Sequence, residues 1–131
     1  MSSITNEFRI GIDANRLPQL EQLNNELFPV KYSRRFYAQL LRPPSIVLCC
    51  WRGDELIANL CARIVEDDFW FFGREVSVYI MTLGVHASAR RTGIASRLLT
   101  LLEQHIELHV PNCEYISLHV KVSVIRISSR T

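Results

Sequence analysis

The stretch "ARRTGIASRLLTLLE", residues 89 to 103, sets two arginines and one glycine directly before a leucine-rich run. A helix opens with backbone N–H groups that have no intrahelical acceptor, and its dipole makes that end partly positive. Phosphates and other anions bind at such ends. Gly93 lets the chain turn and lets a ligand approach the backbone with no Cβ in the way. Ala95 is small for the same reason, and Arg90 and Arg91 add positive charge. Leu98, Leu99, Leu102 and Ile106 give the helix an apolar side that anchors it to a core. The R-x-x-G-x-A pattern is short, and taken alone it is more often an ordinary loop-to-helix turn. Neither G-x-G-x-x-G nor the lysine of a G-x-x-x-x-G-K-[ST] loop is present. Position raises the anion reading: the turn follows the strongest strand signal and precedes a helix long enough to return to the sheet.

The elements that must hold this turn can be read from periodicity and punctuation. "FRIGI" at 8–12 alternates as a first strand. In "NRLPQLEQLNNELF", Leu17, Leu20, Leu23 or Asn24, and Leu27 are near helical spacing, with Asn15 as cap and Pro18 in the first turn. Pro29 breaks that helix. Ser33 caps a second one carrying Phe36, Tyr37, Leu40 and Leu41, which "RPP" stops. "SIVLCCW" reads as a strand, "RGDE" as a hairpin turn, "LIANLCARIV" as its partner and "EDD" as another turn. Residues 69–85 hold one long strand or two, with "FGRE" as the break, and "VSVYIMTLGV" is rich in β-branched residues. The helix after Gly93 runs to about Val110, where Pro111 ends it. "YISLHVKV" is the final strand, with Tyr115, Ser117, His119 and Lys121 on one face. A strand–helix–strand unit implies a right-handed crossover between parallel neighbours. The expected fold is α/β: a mixed, mostly antiparallel sheet flanked by helices, in a single domain over 1–131.

Composition narrows the function classes. The chain has 131 residues, enough to bury a core without metal or disulfide staples. A net charge of +2 is too small to argue for direct nucleic-acid binding. No apolar run approaches the ~18 residues of a membrane span, and the first residues lack the apolar stretch of a secretion signal. Cys49, Cys50, Cys61 and Cys113 form no C-x-x-C pair, so they read as buried reduced thiols rather than metal ligands. An intracellular, metal-free protein is expected.

Beyond these residue-level readings, "YIMTLGVHASARRTGIASRLL" resembles the acetyl-CoA-binding segment of the GCN5-related N-acetyltransferases (GNAT), with their [QR]-x-x-G-x-[GA] pyrophosphate loop. Taken together, "LFPVKYSRRFY", "YIMTLG", "ARRTGIASRLL" and "YISLHV" are similar to the NatE catalytic-subunit type of N-terminal protein acetyltransferase, in the same order. The resemblance implies a strand–helix–strand acetyl-CoA unit. In it Leu83, Gly84 and Val85 line the pantetheine arm, and Arg90, Arg91, Thr92, Gly93, Ile94, Ala95 and Ser96 hold the pyrophosphate. It implies Tyr79 and His119 as the pair that takes a proton, through an ordered water, from an α-amine of pKa about 8. Backbone N–H groups near Met81 to Leu83 are then placed to polarise the thioester carbonyl. Phe28, Pro29 and Val30 would form a pocket for an initiator methionine, Tyr32 would bond the peptide backbone, and Arg63 and Met81 would line the site. The implied substrates are Met-starting N-termini with an apolar or permissive second residue, and lysine side chains as a further class. The implied partners are peptide or protein N-termini, a NatA-type complex and the ribosome, in the cytoplasm, with no membrane. Without the resemblance, Tyr79 reads as a packing residue, His119 as a strand-face histidine and "FPVKY" as a staple between two helices. The "FPVKY" match also disfavours small amines as acceptors.

After "LHVKVS" the match departs: Val124 stands where the family has an asparagine, and the aromatic pair that follows has no counterpart. The expectation is a domain truncated or altered after about residue 123, with a C-terminal helix and hairpin missing. An alternative reading follows from this departure, a non-catalytic module that binds coenzyme A or docks on a NatA-type complex.

Overall fold

The computed structural model describes residues 5–71 and 73–118. Five strands form one sheet in chain order: β1 (Asn6–Ile10), β2 (Ser45–Arg52), β3 (Glu55–Phe69), β4 (Gly73–Val85) and β5 (Cys113–Leu118). The first three pairings are antiparallel and β4–β5 is parallel, as the crossover through a helix requires. Helices α1 (Leu17–Leu27) and α2 (Arg34–Gln39) connect β1 to β2, and α3 (Ile94–His109) connects β4 to β5. The mixed, mostly antiparallel α/β sheet of the sequence reading is present.

Alternating side chains on the strands feed two cores. On one face Leu98, Leu102 and Ile106 of α3 meet Leu48, Leu60, Val78 and Ile80. On the other, Leu20 and Leu23 of α1 and Tyr37 of α2 meet Val47, Cys49, Trp51 and Cys61. Each fully buried leucine contributes roughly 1.5–3 kcal/mol from the surface it removes from water. The strongest strand signal in the sequence therefore lies between two helix layers, where near-continuous apolar runs are expected.

Local signals set most helix ends, with one correction. Ser33 caps α2, its Oγ accepting from Phe36 N at 3.1 Å. Asn15 does not cap α1. A 3-10 turn over Ala14–Arg16 comes first, closed by Arg16 N donating to Asp13 O at 2.9 Å, and Arg16 occupies the cap position. Pro18 falls in the first turn, where its missing N–H has no ladder partner to lose. "FRIGI" is displaced as a strand to Asn6–Ile10, because Gly11 takes a φ of 91° and turns the chain away.

The "EDD" turn is a second correction. Glu66, Asp67 and Asp68 continue β3, in register with Val76, Glu75 and Arg74 of β4. Arg74 reaches Glu66 at 3.3 Å and Asp68 at 3.5 Å, so a guanidinium from the opposite strand offsets the acidic run. The chain turns instead at the aromatic tip, where Trp70 and Phe71 are exposed, and β4 then runs unbroken through "GREVSVYIMTLGV".

One irregularity matters for the site. Cys61 opposes Thr82 while Ala62 opposes Ile80, which leaves Met81 as an extra residue in β4. Such a bulge bends a strand and re-aims its side chains. Tyr79, Met81 and Thr82 turn toward α1 and α2, while Ile80 and Leu83 turn toward α3.

Candidate active site

The helix entrance has the shape the sequence suggested. Gly93 is the residue before α3 and adopts φ 82°, ψ 8°, a left-handed conformation that glycine enters without a steric penalty. Nothing stands within 4 Å of the position its Cβ would take, so the approach to the backbone is open. The first ladder bond visible at this end is Arg97 N to Gly93 O at 3.0 Å. The N–H groups of Ile94, Ala95 and Ser96 precede it and have no intrahelical acceptor. Ile94 is buried and pins the first turn to the core, whereas Ser96 is exposed.

The loop before the helix is tied down by its own side chains. Thr92 Oγ1 donates to Ala89 O at 2.5 Å. Arg90 Nε donates to Val85 O at 3.2 Å, laying the guanidinium against the end of β4. Arg91 is exposed, with a φ of 64°. His86 accepts from Ser88 N at 3.1 Å through Nδ1 and lies 2.8 Å from Ser88 Oγ. Its backbone N donates to Ile57 O at 2.7 Å, and its Nε2 faces Glu26 of α1 at 3.8 Å. No local sequence signal marked this link, since Glu26 is 60 positions away.

On the opposite face of β4, aromatic groups gather around the bulge. Tyr79 is half-buried and in register with Arg63 of β3 and Ser117 of β5. Tyr32 stacks on Phe36 with ring centroids 4.5 Å apart and meets Phe28 edge-on at 6.5 Å. Burial pushes the Tyr32 phenol above its usual pKa, and the neighbouring Tyr79 and Cys61 push it the same way. Met81 packs into the same cluster. Pro29, Val30 and Arg63 are exposed, while Phe28 and Tyr32 of the same "FPVKY" loop are half-buried. His119 lies outside the described residues.

Gly84 connects the two sides. Leu83 and Val85 pack toward α3, but a Cβ on Gly84 would stand 2.7 Å from Leu27 Cδ1 and 2.9 Å from Phe28 Cζ. The absent side chain is the space into which the end of α1 packs. Sequence reading placed Gly84 only along the cofactor strand; its contact with Phe28 spans more than 50 positions and has no local signature.

Among the described residues no group of three or more His, Cys, Asp or Glu side chains converges as a metal centre would require. Burial raises the Cys61 thiol to about 12 and the Cys49 thiol further, and all four cysteines are free.

A bulged strand thus runs into a glycine-opened helix, on a mixed sheet with helices on both faces. The chain belongs to the acetyltransferase (GNAT) family, which it matches over residues 14–126. It is 30% identical over 119 residues to N-alpha-acetyltransferase 50 of Danio rerio, an alignment that covers 86% of this chain and 63% of that protein. The chain thus spans less than two thirds of that relative's length. Arabidopsis thaliana NAA60 in complex with a bisubstrate analogue has the same fold, with a TM-score of 0.76 and 29% identity over 88% of this chain and 75% of that one. Arabidopsis thaliana Naa50 in complex with the bisubstrate analogue CoA-Ac-MVNAL superposes with a TM-score of 0.70 and 30% identity, over 88% of this chain and 72% of that one.

Proposed function

We propose that the protein is an acetyl-CoA-dependent N-terminal acetyltransferase acting on Met-starting peptides or nascent chains. The observation that carries this reading is the junction of β4 and α3. An open, left-handed glycine and three unpaired N–H groups suit a diphosphate, and Arg90 and Arg91 supply flanking positive charge. Leu83 to Val85 would hold the pantetheine arm by backbone hydrogen bonding, as an added strand would be held. The cosubstrate would supply an activated acetyl group as a thioester.

The chain's own residues then have the following tasks. Phe28, Pro29 and Val30 receive an apolar first side chain, with Tyr32, Arg63 and Met81 around the peptide backbone. Tyr79, with His119, accepts the proton that the α-ammonium must lose before it can attack. N–H groups around the bulge, between Met81 and Leu83, face the developing oxyanion. The new C–N bond forms as the C–S bond breaks, and coenzyme A leaves as the thiol. Holding amine and thioester together supplies much of the rate by proximity. The CoA-Ac-MVNAL analogue bound by the Arabidopsis Naa50 supports a Met-first acceptor for this chain. Lysine ε-amines are a secondary acceptor class, and the proposed setting is cytoplasmic, beside a NatA-type complex and the ribosome.

The test is release of coenzyme A thiol from acetyl-CoA with a Met-Val-starting pentapeptide. Turnover that Tyr79→Phe or His119→Ala abolishes supports the enzyme. Stabilisation by acetyl-CoA without turnover shows a coenzyme A-binding module, and neither effect removes the reading altogether.

A further inference from the structure

A row of polar side chains crosses the interior between α1 and the bulge. Asn24 on α1, Asn59 on β3 and Thr82 on β4 are each at most 2% exposed. Asn59 Nδ2 donates to Asn24 Oδ1 at 2.7 Å. Thr82 Oγ1 donates to Asn59 Oδ1 at 2.8 Å, an oxygen that Cys61 Sγ also approaches at 3.5 Å. The Asn24 amide also acts on the buried Tyr37 hydroxyl, a contact looser than the two hydrogen bonds of the row.

Stability does not explain this arrangement. Replacing both partners of a buried hydrogen bond by apolar groups of the same shape is close to neutral. What the row does supply is direction. Among the described residues Met81 has no partner on β3, so the β3–β4 ladder alone leaves the backbone around the bulge under-determined. Thr82 is the next residue, and its hydroxyl is held by Asn59 of β3, which Asn24 of α1 holds in turn. Fixing Thr82 orients the peptide groups on both of its sides, which are the ones between Met81 and Leu83.

We propose that Asn59 and Asn24 act through Thr82 as positioning residues that set the bulge, and with it the N–H groups aimed at the thioester carbonyl. This rests on the acetyltransferase reading given above. It also makes α1, which carries Phe28 at its end, and the bulge parts of one rigid unit, so that peptide pocket and carbonyl site keep a constant separation.

The experiment compares Thr82→Val, which keeps shape and loses the donor, with Thr82→Ser, which keeps the donor. Rates are measured well below each variant's Tm, and amide exchange at residues 81–83 is followed in parallel. Thr82→Val should lower kcat about tenfold, less than the ~10²–10³ lost on deleting an oxyanion donor. KM for acetyl-CoA should stay within about twofold of wild type, exchange at 81–83 should quicken, and Thr82→Ser should restore most of both. Asn24→Ala, cutting the far link, should lower kcat in the same direction and combine non-additively with Thr82→Val. Equal kcat and equal exchange in wild type and Thr82→Val overturn the proposal, as do additive effects of the two cuts. If Thr82→Val does not fold, Asn24→Ala carries the same two readouts. A wild-type chain that shows no turnover sinks the acetyltransferase reading, whereas unchanged exchange sinks the positioning row, so the two failures are separable.

Discussion

Gly84→Ala is the substitution whose effect can be worked furthest from the structure. The added methyl would stand 2.7 Å from Leu27 Cδ1 and 2.9 Å from Phe28 Cζ. Carbon atoms sit most favourably at ~3.5–4.0 Å, so both neighbours must retreat by roughly an ångström. Both are side-chain ends and can move, but they are wedged between α1 and the sheet, and overpacking of this kind costs about 1–3 kcal/mol. For a domain of this size that corresponds to a fall in Tm of roughly 3–12 °C. The retreat displaces Phe28, a wall of the proposed methionine pocket, while the backbone of β4 along the proposed pantetheine path is unaltered. Peptide KM should therefore rise several-fold while coenzyme A affinity holds, measured by steady-state kinetics and by calorimetric titration. Leu27→Ala in the Gly84→Ala background should recover part of the peptide KM by freeing space. A Gly84→Ala variant with wild-type Tm and wild-type peptide KM would refute the packing argument. Weakened coenzyme A binding with normal peptide KM would move the glycine's role to the cofactor side.

Gly93→Ala meets no atom within 4 Å but forces a φ of 82° on an L-residue, costing about 1 kcal/mol; the methyl would also enter the proposed diphosphate approach, so coenzyme A affinity should fall at least tenfold in a binding titration. Ser33→Ala removes the Oγ that accepts from Phe36 N and should cost roughly 1 kcal/mol in denaturant unfolding, with peptide KM rising because α2 holds Phe36 against Tyr32. Burial, followed by the neighbouring His109, lowers the His105 pKa below 6.5. The unfolded chain therefore takes up a proton first as pH falls, and stability present above pH 6.5 is lost on descending through that value toward the folded pKa. Tm should drop between pH 7.5 and 5.5, and by less in His105→Asn. Burial raises the thiol pKa of Cys49, Cys50, Cys61 and Cys113 alike. A disulfide reagent at pH 8 should accordingly find no rapidly reacting thiol in the native protein, and four after denaturation.

Sequence alone determined the features that depend on near neighbours. The apolar period of residues 94–109, the Ser33 cap, the parallel return after α3 and the turn at Gly53 follow from side-chain spacing and backbone preference within a few residues. The glycine-opened entrance belongs to the same class, because its unpaired N–H groups and left-handed turn are properties of one short segment. Local reading failed where a distant group changes the balance. "EDD" is acidic enough to suggest a turn, yet Arg74 from the facing strand keeps it extended. Asn15 is a good cap by type, yet the Asp13 carbonyl closes a 3-10 turn ahead of it. The bulge at Met81, the filling of Gly84's empty side by α1, and the Asn24–Asn59–Thr82 row were decided only by tertiary structure. Each depends on how strands pair or a helix seats on the sheet across 20 to 60 residues of chain, and a contact at that separation leaves no periodic trace in the sequence.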